Sequence, residues 1–210
     1  MSPAALDLRE ALAACPVIAI LRGVRPEEIP TIAEALYAAG VRVVEVPLNS
    51  PQPLDSIARL ASAFRGRLAC GAGTVLQTDQ VDEVVAAGGR VIVAPNMDAS
   101  VIRRALELGA EPFPGFFTPS EAFEAVQAGA TRLKLFPAGT LGPAYLRALK
   151  AVLDPAVKVF AVGGVRPDQM ADWRGAGAAG FGLGSELYRP GQSADETFAK
   201  AQLAVAAARG

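Results

Sequence analysis

Residues 41–73 read VRVVEVPLNSPQPLDSIARLASAFRGRLACGAG, and the fold is decided there. VRVVEV (41–46) is a short β-branched run, and RLACGAG (67–73) is again short and apolar. Between them PLDSIARLASAF carries Leu54, Ile57, Leu60 and Ala61 on one helical stripe. Strand, helix and strand at this spacing make a βαβ unit, whose strands run parallel because the helix carries the chain back. The same unit recurs in both directions. VIAIL (17–21) lies upstream; VIVAP (91–95), EPFPG (111–115), RLKLFP (132–137), VKVFAVGG (157–164) and GFGLGS (180–185) lie downstream. A helical pattern follows each. Gly40, Gly88, Gly109, Gly129 and Gly177 stand where helices should end, and Thr78 is the expected N-cap after the third strand.

Eight strand candidates, spaced by about 20–25 residues, predict a single (β/α)₈ TIM barrel of the α/β class over residues 1–210. An extra helix is expected at 5–14, within an N-terminal helical segment 1–15. A doubly wound open sheet is the alternative. It often carries a dinucleotide fingerprint, and no G-x-G-x-x-G opens a helix here.

Composition narrows the chemistry. The formal net charge is −1 with both signs mixed along the chain, which argues against nucleic acid or an anionic membrane as partner. The first residues, MSPAALDLREALAACP, lack the basic start and apolar core of a signal peptide. No apolar run approaches the roughly 20 residues that span a bilayer. Cys15 and Cys70 read as two reduced, buried thiols of a cytoplasmic protein. Histidine is absent altogether, which removes a Ser-His-Asp triad, a histidine base and the usual histidine zinc site.

In a barrel, chemistry collects at the C-terminal strand ends and the loops after them. Four lysines stand against sixteen arginines, and only Lys134 sits inside a strand between two leucines near its C-terminal end. Strand periodicity sends Leu133 and Leu135 one way and Lys134 the other, into the barrel mouth. A desolvated amine there is a nucleophile towards carbonyls; the bland reading is a structural lysine paired with a buried carboxylate. Glu45, inside VVEVP, is either a general acid/base of raised pKa or one half of an ion pair with Lys134 or Arg22. Gly163-Gly164 and Gly184-Ser185 end the last two strand candidates, where many barrels bind phosphate, although glycines also simply make tight turns. Arg22 can grip a carboxylate or form a surface salt bridge, and Thr74 can add a hydroxyl to the same carboxylate.

These residues carry a resemblance. IAILRGVRPEE, VVEVPLNSP, GAGTVL, APNM, RLKLFPAGTLGPAYLRALKAVL, FAVGGV and GLGSELYRPGQS resemble the 2-dehydro-3-deoxy-phosphogluconate and phosphogalactonate aldolase family, from Pro16 to about Gly191. The resemblance implies a class I aldolase in which Lys134 forms a Schiff base with pyruvate and Glu45 shuttles protons. It implies that Arg22 and Thr74 bind the pyruvate carboxylate and that Gly163, Gly164, Gly184 and Ser185 bind phosphate. Phe136 and Pro95 would pack around the reacting carbons, and Val162 and Asn49 would belong with them to the substrate-binding set. It also implies a cytoplasmic homotrimer that needs no metal or other cofactor.

IAILRG, EVPLNSPQ and FAVGGV are closest to the phosphogalactonate branch. Phosphogluconate enzymes typically have Arg in place of Asn49 and Thr in place of Val162, so Arg22 is expected to take over the carboxylate. Loss of the hydroxyl at Val162 is expected to favour the other C4 epimer. The implied reaction cleaves 2-dehydro-3-deoxy-6-phospho-D-galactonate to pyruvate and D-glyceraldehyde 3-phosphate; the gluconate epimer, or both epimers, is the alternative. Two other readings make different demands. An isomerase or epimerase with Glu45 as base would yield no pyruvate, and a sugar-phosphate sensor would bind without turnover.

Overall fold

The structure, a computed structural model, describes residues 6–210. Its strands are β1 Val17–Ile20, β2 Val43–Pro47, β3 Ala69–Gly73, β4 Val91–Val93, β5 Glu111–Phe113, β6 Gly115–Phe116, β7 Arg132–Leu135, β8 Lys158–Val162 and β9 Gly180–Leu183. They form one parallel sheet in the order β5-β4-β3-β2-β1-β9-β8-β7-β6. The two ends of that order are separated in sequence only by Pro114, so the sheet nearly closes into a TIM-like barrel.

Eight strands were expected and nine segments occur, because Pro114 interrupts the fifth. A proline has no N–H to give the ladder, yet its carbonyl still accepts from the Lys134 N–H at 2.8 Å. The Gly115 N–H reaches back to Asn96 O at 3.2 Å. One bent stretch thus serves both neighbours.

Helices alternate with the strands on the outside: α2 Ile29–Ala38, α3 Pro53–Ala63, α4 Thr78–Ala86, α5 Ala99–Glu107, α6 Pro119–Gln127, α7 Ala138–Lys150, α8 Met170–Gly175 and α9 Ala194–Arg209. Before them comes α1, Leu8–Ala14, its Arg9 N–H met by the Asp7 carboxylate; the start of the expected N-terminal segment lies outside the described residues. The five helix-ending glycines named above all have φ between +67° and +106°, a region in which a Cβ clashes. Thr78 is not an N-cap. α4 begins on it, Gln77 is the cap, and Gln80 reaches back to the N–H groups of Leu76 and Gln77. A longer side chain one turn inside does the work that the threonine was expected to do.

Period-two alternation produces two apolar regions. Val17, Ala19, Val44, Val46, Leu133, Leu135, Val159 and Phe181 point outward into a shell shared with the helices. Ile18, Val43, Val91, Val93, Phe113, Phe160 and Val162 point inward, and Ala11 and Leu12 of α1 close their lower end. Phe113 and Phe160 meet edge to face with ring centroids 5.2 Å apart. Cys15 and Cys70 are free and buried. No helix among the described residues is long and apolar enough to cross a membrane.

Leu133 is fully buried in the shell, whereas Leu203 on α9 is 68% exposed. Leu133→Ala should therefore cost about 3 kcal/mol in urea unfolding, and Leu203→Ala about 0.5 kcal/mol or less. Equal losses would contradict the outward packing of β7.

Candidate active site

Because Leu133 and Leu135 face the helices, Lys134 is turned inward by the alternation of β7. Glu45 is turned inward in the same way by Val44 and Val46 of β2. In the sheet order β2 and β7 are separated by β1, β9 and β8, so these two side chains approach from opposite walls. Lys134 is 7% exposed and Glu45 2%.

The other three lysines all have partners. Lys150 donates to Val157 O, Lys158 to Pro155 O, and Lys200 pairs with Glu196 at 2.7 Å. Lys134 Nζ has no hydrogen bond or ion pair among the described residues; it lies over the Phe136 ring, 4.6 Å from the centroid. Glu45 Oε2 is likewise buried without a hydrogen-bond partner. The ion pair that would have made either residue merely structural is not formed within 4 Å.

Beneath the pair the barrel is filled by Ile18, Val93, Phe113 and Phe160, leaving a void of about 10 Å³ whose walls also include Glu45 and Lys134. That is the lower limit for one water. Burial consequently dominates both titrations. It raises the Glu45 carboxyl to about 7, against the opposing pull of Lys134, Arg22 and the Gly73 N–H. It lowers the Lys134 ammonium, opposed by Glu45 and assisted by Arg22. A carboxyl near neutrality is suited to giving and taking protons, and a less basic amine is free to attack a carbonyl.

Gly73 makes room for this. A Cβ there would stand 2.2 Å from Glu45 Oε2, so any other residue at the end of β3 would displace the carboxylate. Thr74, next in sequence, has φ +59°, a strained conformation for a β-branched residue, and it lines the mouth.

Above the pair is a cavity of about 180 Å³ at the C-terminal strand ends. Its walls bring together Arg22, Glu45, Thr74, Pro95, Lys134 and Phe136, and on the other side Val162, Gly163, Gly164, Gly184 and Ser185. Asn49 does not line it. Asn49 instead accepts a hydrogen bond from Arg22 Nη1 at 2.5 Å. Arg22 forms no ion pair with any described carboxylate within 4 Å. Gly163 and Gly164 have φ +87° and +74°, and the Gly163 carbonyl accepts from the Gly139 N–H at the start of α7.

Two lining residues, Ile20 and Glu186, escaped the sequence reading, and a third, Gly182, was read only as part of the glycine run that ends the last strand. Ile20 and Gly182 are wall, the glycine because a Cβ would press on Val162 at 2.8 Å. Glu186 follows Ser185 directly, and only its position after the GLGS run could have flagged it. A larger cleft of about 690 Å³ lies at the opposite end, against α1, with Arg65, Arg90 and Glu111 in its walls. Neither of the two buried, unpartnered polar atoms belongs to a residue of that cleft, and barrels seldom work from that end. No group of three or more His, Cys, Asp or Glu side chains that could hold a metal ion occurs among the described residues.

Fold and site together define a TIM-like barrel with a desolvated amine and carboxyl in its mouth, the equipment of carbonyl chemistry. The family model of KDPG and KHG aldolases matches residues 8–201, and the chain belongs to that family. The 2-dehydro-3-deoxy-6-phosphogalactonate aldolase of Escherichia coli strain K12 is 49% identical to it over 92% of this chain and 95% of that protein. A solved structure described as native KDPGal superposes with a TM-score of 0.91 at 49% identity, covering 92% of this chain and 94% of that one. The KDPG aldolase of Legionella pneumophila, with pyruvate captured at low pH as a covalent carbinolamine intermediate, superposes with a TM-score of 0.82 at 29% identity, covering 94% and 96%.

The raised Glu45 titration has a measurable consequence. As pH rises, the unfolded chain gives up this proton before the folded protein does. The stabilisation is therefore whole below about pH 4.5 and is lost as pH rises through about 7. Glu45→Gln should escape that loss, its stability relative to the parent rising by on the order of 3 kcal/mol between those limits. Parallel pH profiles of unfolding would mean that Glu45 ionises freely inside the fold.

Proposed function

We propose that the chain is a class I aldolase that cleaves 2-dehydro-3-deoxy-6-phospho-D-galactonate to pyruvate and D-glyceraldehyde 3-phosphate. The observation that carries this is the buried Lys134 amine, free of any ion pair, facing a buried Glu45 whose Oε2 has no hydrogen-bond partner, in one cavity. Neutral Lys134 attacks the C2 ketone, and protonated Glu45 gives its proton to the carbinolamine hydroxyl, which leaves as water to give a protonated imine. Glu45 takes the proton of the C4 hydroxyl. The C3–C4 bond breaks, its electron pair passes into the imine to leave an enamine, and glyceraldehyde 3-phosphate departs. The enamine is protonated at C3, and water hydrolyses the imine to release pyruvate and restore the amine. The protonated imine is the electron sink, so the reaction as proposed uses no metal or other cofactor.

Arg22 and Thr74 bind the carboxylate, with the guanidinium supplying charge and a fork of donors. Phe136 and Pro95 flank the reacting carbons. Gly163, Gly164, Gly184 and Ser185 take the phosphate. The galactonate epimer is supported by the relative from Escherichia coli and by Val162, whose methyls line the cavity where a threonine would offer a hydroxyl to the other C4 configuration. As the family resemblance implies, the protein works as a cytoplasmic homotrimer.

Borohydride reduction with pyruvate, followed by peptide mass spectrometry, should leave a stable pyruvyl adduct on Lys134. Lys134→Arg should give no adduct and lose activity by at least about 1,000-fold, although its charge is kept. An adduct on another lysine, or retained cleavage in the variant, would remove Lys134 from the mechanism. A coupled assay should show a higher kcat/KM for the galactonate than for the gluconate epimer, and the reverse order would refute the epimer assignment.

A further inference from the structure

Arg22 stands on the exposed rim, just beyond β1, and a long side chain there has many rotamers to choose from. Two contacts from the loop after β2 restrict it. Asn49 Oδ1 accepts from Arg22 Nη1 at 2.5 Å, and Ser50 Oγ accepts from the Gly23 N–H at 2.9 Å. The accepting loop is itself fixed, because the Ser50 N–H closes a turn onto Pro47 O at 2.9 Å. Below it the Leu21 N–H bonds to Glu45 O at 2.9 Å. Pairing of β1 with β2 thus continues past the strand ends, through side chains, up to the guanidinium.

The chemistry of the acceptor matters. A neutral amide takes one N–H of the guanidinium and leaves its other donors and its full charge for an anion. A carboxylate at the same place would take the same hydrogen bond and cancel the charge. Arg22 lines the cavity and Asn49 does not.

We propose that Asn49 is a positioning residue that acts on substrate only through Arg22, holding its guanidinium over the cavity without neutralising it. This rests on the reading of Arg22 as the carboxylate ligand.

The test is a double-mutant cycle of Arg22→Ala and Asn49→Ala, with Asn49→Asp alongside and melting curves for each variant. The readouts are kcat and KM for cleavage, and KM for pyruvate in the exchange of its methyl protons with D₂O. Asn49→Ala should raise both KM values about five- to tenfold, the loss of one hydrogen bond to a charged group, with kcat within about twofold. In the Arg22→Ala background the same substitution should add less than about twofold. Asn49→Asp should raise KM further than Asn49→Ala does. Multiplying effects in the double variant would mean that Asn49 meets the substrate itself. An unchanged KM in Asn49→Ala, or an Asp variant that behaves like the parent, would also overturn the proposal. If Arg22→Ala leaves the pyruvate KM unchanged, the carboxylate-ligand reading itself is wrong, whatever Asn49 does.

Discussion

Two ionisable side chains have been taken out of water inside one barrel and kept from pairing with one another, and the rest of the site is arranged around that. An unpaired buried charge is among the costliest things a fold can contain, and the usual escape is to shift the titration until the group is neutral. Burial moves Glu45 upward and Lys134 downward, so each drifts towards its uncharged form. The mutual attraction of the pair resists this without abolishing it. Had they come into contact, the ion pair would have been the stable state and the amine would have been spent.

Several unrelated features keep them apart and dry. Phe113 and Phe160 fill the barrel below. Gly73 leaves a hollow for the carboxyl that any Cβ would fill. Arg22, the one cation of the cavity wall besides Lys134, stays on the exposed rim, where its own charge remains solvated. The outward faces of the same strands are packed into the helical shell, which gives each strand a fixed rotation and hence a fixed inward residue. Orientation of the chemistry is therefore a by-product of ordinary core packing on the other side of the sheet.

Much of this was written in the sequence. Leu-Lys-Leu forces its lysine to the face opposite the leucines, and Val-Glu-Val does the same for its glutamate, since period-two alternation is a local rule. The glycines after the last strands and the spacing of the repeats were equally plain. What escaped depends on contacts between distant segments. Pro114 splits a strand only because neighbours on both sides need hydrogen bonds at that point. Gln80 displaced Thr78 at the start of α4 because a longer side chain could fold back on the turn. Asn49 was read as a substrate contact, and the structure instead joins it to Arg22, 27 residues away. Gly73 looked like one small residue in a small-residue run, and its meaning appears only when the opposing carboxyl is seen. Local patterns set which way residues point; which of them meet is a property of the closed sheet.

The packed floor has a consequence for traffic. With Ala11 and Leu12 packed among the apolar side chains of the lower end and a void of only about 10 Å³ below Glu45 and Lys134, the described residues leave the cavity its opening at the C-terminal strand ends. Whatever is tethered to Lys134 sits innermost, and whatever is not tethered lies between it and solvent. On the proposed reaction the aldehyde must leave first and pyruvate last, and in the reverse, bond-forming direction pyruvate must enter before the aldehyde. The order of arrival and departure is thus written into the plugging of a barrel by two apolar side chains of a short helix, at the end of the molecule farthest from the chemistry.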